Sequence, residues 1–536
     1  MGHPADCDTS ISPRHANFAL LTAACQEILS ILNKASNDVN AEASLIEKVR
    51  ELCDFLEHTG LEILSVDRSA TNVTTAAGDN SSHHQPLLVK TISKLLSSKV
   101  VGIAHSAGDL LVALCAAVST VEDELGKHHS SNNNNNSNNV EWLYETAPKW
   151  LALLQNRIEN ILRDGSMNYF GIPSNNDVIV EGLLSEGEGR WQELLVVSVE
   201  AASALIAKCK HKVKTNSLRT LDGLQSLVWV IMGSGNNDEV LNAAATFASV
   251  IPMLGQQTQP PAALWSQALF SCLAALTACV HTSWPNKSAS YDVDWAMGIG
   301  DADEWLARLQ SAIDQTKRKA SVLHRANALT KLAIALFSMH GYVENSGDMQ
   351  VQVPLRRCTQ ACDMLVQFGI GAEAQCVTSS SNSVVRKDIA ALNALLSPSS
   401  VVSIAISMRS LGHELFASFV QTVGTSLLPY SKDVARLVDA GLFAACSNAV
   451  QQQSRGYSIQ TSDDNSISLN RVLSVRSKAI HSYKVSQIYL GCGIVPMMSK
   501  SLMLVTGSFL EVALLNSQRY DDGGDWASLS EKIEVV

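Results

Sequence analysis

Aromatic residues make up only 5% of this 536-residue chain, and charged residues only 17%. The first scarcity argues against an aromatic-rich β-sandwich. The abundance of Ala, Leu and Ser beside it favours helices packed closely through small side chains. Alternating apolar runs, the mark of half-buried strands, are nearly absent. The 12 cysteines, spread from Cys7 to Cys492, contain no C-x-x-C and no regular spacing, so they read as reduced, buried thiols of an intracellular chain. The opening residues MGHPADCDTSISPRHANF hold acids and no apolar core, so no signal peptide is expected. The most apolar run, Ile494–Leu515, is broken by Lys500 and Glu511, which makes it a buried helix rather than a membrane span.

Catalytic signatures are missing too. There is no G-x-x-x-x-G-K-[ST], no H-E-x-x-H and no G-x-S-x-G. Gly233-Ser-Gly235 lacks a preceding strand and reads as a helix break rather than a phosphate cradle. Asp301, Asp303 and Glu304 open a helix, where the dipole favours acids, and so read as caps rather than a metal pair. Cys358 and Cys362 share a helical face, but no His or further Cys lies close in sequence to complete a tetrahedral set. Leu392-Asn-Ala-Leu395-Leu396 fits an L-x-x-L-L docking pattern that any leucine-rich helix also produces. The chain therefore reads as a non-enzyme without cofactor or metal.

The net charge of −11 argues against a general nucleic-acid binder, which needs basic surface to displace counterions from phosphate. Two basic runs go against that balance: Lys208, Lys210, Lys212 and Lys214, and then Lys317, Arg318 and Lys319. Lysine at a helix C-terminus is favoured by the dipole, so capping is the plain reading, and import or RNA-contact patches are the sharper one.

What is present is helical periodicity. Helices are expected at Phe18–Lys34, Ala43–Val66, Pro86–Leu96, Ala107–Leu125, Glu141–Leu162 and Arg190–Lys214. From Leu218 the pattern becomes regular, with helices near 218–232, 238–251, 262–282, 303–340, 354–368, 384–396, 400–424, 429–450, 471–490 and 494–515, parted by Gly, Pro, Ser or Asn. Pairs of roughly 35–45 residues without a crisp consensus predict an all-α, HEAT- or armadillo-like solenoid. The expected divisions are an N-terminal helical region (1–126), an Asn-rich loop (127–139), a repeat region (140–370), a Ser-rich linker (371–383), a C-terminal repeat region (384–516) and a polar tail (517–536).

One corner organises the reading. MQVQVPLRRCTQACDMLVQFGIG (Met349–Gly371) opens with the extended Val351-Gln352-Val353 and meets Pro354, which suits a helix start. Leu355, Cys358, Cys362, Leu365 and Val366 then share one face, and Gly369 and Gly371 are expected to end the helix. Val-x-Val-Pro leading into an amphipathic helix resembles the pre-rRNA-processing Rix family, which includes the proline-, glutamate- and leucine-rich proteins of animals and plants. Leu241–Trp284, a small-residue helix with a Pro stop and then a Trp-led helix, resembles the same family. So does Ser403–Leu442, with Leu427, Leu428 and Pro429, and the helix pair over Arg471–Leu515. The resemblance covers roughly 240–515.

The resemblance implies a scaffold of large-subunit ribosome assembly in the nucleus, both nucleolus and nucleoplasm. Its implied partners are a WD40-propeller subunit, a second helical-repeat subunit, the midasin-type AAA ATPase and the pre-60S particle, with a homodimer inside the complex, no membrane, and direct RNA contact left open. Its implied task is positional, during removal of pre-rRNA spacer. Animal members carry a long acidic Pro/Glu-rich tail, which the Asp521, Asp522 and Glu531 end does not match, so that tail's functions are not carried over. A generic helical-repeat adaptor in nuclear transport or trafficking is the alternative.

Overall fold

The computed structural model describes residues 13–34, 39–64, 84–128, 141–169, 186–209, 218–234, 237–254, 260–283, 291–296, 322–341, 353–378 and 398–430. Among these described residues there are 12 α-helices, three short 3-10 turns and no strand. The chain divides into two compact units, residues 1–265 with 308–319, and residues 266–307 with 320–536. The division falls inside a helix, between Trp265 and Ser266.

The first unit holds α1 (Pro13–Lys34), α2 (Val39–Leu64), α3 (His84–Leu96), α4 (Val101–His128), α5 (Glu141–Tyr169), α6 (Glu186–Lys208), α7 (Leu218–Ser234) and α8 (Asp238–Val250). Apolar side chains at three- and four-residue steps give each helix one face to bury. In α2 these are Leu45, Val49, Leu52 and Leu56, none more than 1% exposed, and each is worth roughly 1.5–3 kcal/mol when removed from water. Consecutive helices pack as pairs, α1 on α2, α3 on α4, α5 on α6 and α7 on α8. Each pair then packs on the next through like members, so α1, α3, α5 and α7 form one row and α2, α4, α6 and α8 another.

Polar groups inside the ladder are satisfied locally or used as ties. Ser106, Ser198 and Ser203 return their hydroxyls to the carbonyl four residues back, which lets a helix bury them. Trp150 is fully buried on α5, and its indole N–H donates to Ser93 Oγ of α3 at 3.0 Å. Asn237 caps α8 by accepting from Glu239 N at 2.7 Å, and its amide donates to Gln192 Oε1 of α6 at 2.9 Å.

The second unit takes up α9 (Pro261–Ser283) from Ser266 onward and adds α10 (Val322–Ser338), α11 (Leu355–Thr378) and α12 (Pro398–Val423). Helix α12 packs on both α11 and α10. The Lys331–Glu414 ion pair (3.1 Å) and the Phe337–Phe419 ring contact (5.6 Å) ascend together, so α10 and α12 run parallel. The short segment Tyr291–Ala296 straps onto α11. Tyr291 O–H donates to Asp363 Oδ2 at 2.9 Å, Gln360 Nε2 donates to the Asp292 carbonyl at 2.6 Å, and the Arg357 guanidinium lies 4.8 Å and 4.5 Å from the ring centres of Phe270 and Trp295.

Two expectations are corrected. Gly369 and Gly371 do not stop α11, which runs through both to Thr378, so residues 371–378 are helix rather than linker. Glycine ends a helix where φ turns positive, and among the described residues only Gly424 does so, at 53°. Inside a helix glycine costs only about 1 kcal/mol, less than the buried face from Cys358 to Phe368 returns. The helix expected over Arg190–Lys214 ends at Lys208, with Cys209 in a bend whose N–H still reaches Leu205 O at 2.8 Å. The helices expected at 384–396, 471–490 and 494–515, and all but the start of 429–450, lie outside the described residues.

Candidate functional site

The family-like corner is present in its described part. Val353 and Pro354 stand immediately before α11, and the Pro354 carbonyl accepts from Cys358 N at 3.0 Å, the first bond of the helix begun by Leu355. Val353, Pro354 and Leu355 are half-buried, and Val351 lies outside the described residues. Leu427 is buried in the 3-10 turn Gly424–Tyr430, Leu428 shares that turn, and Pro429 sits inside it with its side chain exposed. Of the basic runs only Lys208 is described, half-buried in the last turn of α6. Lys210, Lys212, Lys214, Lys317, Arg318 and Lys319 lie outside.

The thiols are poor chemistry. Burial pushes the Cys25 and Cys279 thiols up to about 11, and raises Cys358 and Cys362 as well, so all stay protonated at neutral pH. Among the described residues no group of three or more His, Cys, Asp or Glu side chains is placed to hold a metal.

The built feature is a cleft of about 520 Å³ in the first unit, lined by α2, α4 and α6. Ile46, Val49, Cys53 and Val101 supply its apolar wall, and Glu42, Arg50, His105, Asp109 and Glu193 its polar edge. At Gly102, α4 comes close to α2: a Cβ there would meet Glu42 Oε1 at 2.8 Å and Ile46 Cδ1 at 2.9 Å, the far ends of two flexible side chains. His105 Nδ1 lies 3.0 Å from Asp109 Oδ2, one helical turn away. That hydrogen bond, with the charges of Asp109, Glu193 and Glu200, raises the His105 pKa above its ordinary value of 6.5 despite partial burial. Burial first, then Asp109 and Glu239, raises the Glu200 carboxyl. Burial and the acids Asp109, Asp54 and Glu57 push the Cys53 thiol up to about 12.

Sequence reasoning passed over this cleft because its members are spread from Glu42 to Glu193. The usable signal was local: His105 and Asp109 are charged groups four apart inside an otherwise apolar run.

The raised histidine has a testable consequence. A group whose folded pKa exceeds its unfolded value stabilises the fold below the unfolded pKa, and that contribution is lost as pH rises through the folded pKa. Asp109→Asn is therefore expected to lower the thermal midpoint more at about pH 6 than at about pH 9. Melting curves of both proteins at the two pH values check this, and an equal or larger loss at the higher pH would contradict it.

No protein-family model matches the chain, and no curated protein matches it either.

Proposed function

We propose that the chain is a non-catalytic scaffold, an α-solenoid of HEAT- or armadillo-like helix pairs that serves a Rix-type complex in large-subunit ribosome assembly. The observation that carries this reading is the packing order of the first eight helices, in which paired helices stack like on like. Stacking of that kind exposes a continuous row face to several partners at once, and a positional task needs nothing more. The Val353-Pro354-Leu355 helix start, the Pro252 stop after α8 and the Trp265-led helix α9 add the family-like motifs. On this reading the chain works in the nucleus with a WD40-propeller subunit, a second helical-repeat subunit and a midasin-type AAA ATPase on pre-60S particles. The −11 charge makes its grip on the particle run through proteins rather than phosphate.

Affinity purification from cells tests this directly. The expected result is co-purification of a WD40-repeat protein, a second helical-repeat protein and large-subunit precursors, with spacer-containing pre-rRNA accumulating on depletion. The protein core should survive nuclease and moderate salt while the particle falls away. A pull-down without any ribosome-assembly factor would remove the reading and leave the adaptor in its place.

A further inference from the structure

The strap across α11 is a short peptide held by one polar stripe of a helix. Cys362, Leu365 and Val366 of α11 meet α12 at Gly412, and Arg357, Gln360 and Asp363, spaced three apart, come round on the opposite side. Each of the three takes one group of the strap, which runs against the helix: Trp295 at Arg357, Asp292 at Gln360 and Tyr291 at Asp363. Two of these contacts read side chains. The Asp363 carboxylate is only 4% exposed, accepts from Gln367 Nε2 at 3.5 Å, and accepts the Tyr291 O–H on its other oxygen. The Trp295 ring lies 5.4 Å from that of Phe270 on α9, and both rings share the Arg357 guanidinium. The third contact is indifferent to sequence, because Gln360 takes a backbone carbonyl. The hold is thin. Of the strap's side chains only Val293 and Ala296 are buried, Asp292 and Asp294 are exposed, and the buried Trp295 Nε1 finds no acceptor among the described residues.

We propose that Tyr291–Ala296 is a detachable strap over a recognition stripe, and that α11 takes in its place a partner segment with tyrosine and tryptophan four residues apart. The chemistry of the occupant follows from the contacts. A buried carboxylate that would lose its donor selects a phenol over a phenyl ring, and Phe270 with Arg357 selects a flat aromatic face. A small apolar side chain between the two fills the place of Val293. The strap is tethered on both sides, so its effective concentration at the stripe is on the order of millimolar, and even a thin hold keeps the site shut against a free segment. A partner segment whose indole N–H meets an acceptor gains what the strap lacks and displaces it. The site belongs to the second unit alone and is the same whichever assembly the scaffold serves.

The test uses the full chain and a labelled peptide with the sequence Ser290–Met297, followed by fluorescence anisotropy. Against the unaltered chain the peptide competes with the tethered strap and is expected to bind weakly. Tyr291→Phe with Trp295→Ala loosens the strap in place, and this variant is expected to bind the peptide about tenfold tighter than the unaltered chain does. A peptide carrying the same two substitutions should bind the loosened chain about tenfold more weakly than the first peptide. Adding Arg357→Gln to the loosened chain should weaken binding by a similar factor. Arg356→Gln, at an exposed side chain one residue away, should leave it within about twofold. Circular dichroism checks that each variant folds. Tyr291→Phe alone removes a single oxygen and should bind between the unaltered and the loosened chain, so it decides the matter if the double variant does not fold. No tighter binding by any folded strap variant, equal binding of the two peptides, or equal weakening by Arg357→Gln and Arg356→Gln would each overturn the proposal.

Discussion

Arg157→Ala is expected to lower the unfolding free energy by about 3–5 kcal/mol, far more than a surface change would. Arg157 is only 9% exposed on α5, and its partners are carbonyls rather than a carboxylate. Nη1 donates to Ala104 O of α4 at 2.8 Å, and Nη2 donates to Leu96 O, at the last residue of α3. The end of a helix leaves carbonyls without partners and carries partial negative charge, so a guanidinium there answers both needs at once. Burial lowers its pKa to about 10, still well above neutrality, so the group stays cationic. Alanine would strand the buried Leu96 carbonyl, at about 1–3 kcal/mol, take away the added bond to Ala104 O, which keeps its own place in the first turn of α4, and remove the packing of the stem. Arg157→Met separates these effects because it keeps the stem, and Arg157→Lys should recover only part of the loss because a point charge cannot fork between two helices. Urea unfolding followed by circular dichroism measures all three. A loss under about 1 kcal/mol for the alanine variant would mean that water replaces the guanidinium at the Leu96 carbonyl.

The helices themselves were legible because their information is local. Leu45, Val49, Leu52 and Leu56 announce a buried face by spacing alone, and every one of them is buried. The breaks were less legible, because a glycine is a stop only if the backbone turns there. Gly369 and Gly371 remain helical, while Gly424 takes the positive φ. Pro148 shows the same limit: it sits inside α5, where tertiary packing such as that of Trp150 and Leu151 outweighs the lost hydrogen bond. Sites built across helices were the least legible. The strap is held by Tyr291 to Asp363 and by Asp292 to Gln360, and the cleft joins Glu42 to Glu193. Nothing in spacing or propensity relates residues that meet only after the pairs have stacked.

The row that carries the cleft also depends on how closely α4 approaches α6, and Gly108 sets that approach. A Cβ at position 108 would lie 2.1 Å from Val197 Cγ1 and 3.4 Å from Val197 O, closer to the methyl than real Cβ contacts come. Valine is β-branched and held to one rotamer in a helix, so it cannot swing aside, and the helices must part. Gly108→Ala is therefore expected to cost about 2–3 kcal/mol, although alanine in an open helix would gain about 1 kcal/mol over glycine. Val197→Ala alone removes a side chain that is 8% exposed, at about 1–2 kcal/mol. The double variant supplies the room that the new methyl needs, so its loss should fall short of the sum by about 1–3 kcal/mol. Urea unfolding of the two single variants and the double variant measures the cycle. Strictly additive losses would show that α4 yields elsewhere along its length, and that Gly108 does not set the distance between the two helices.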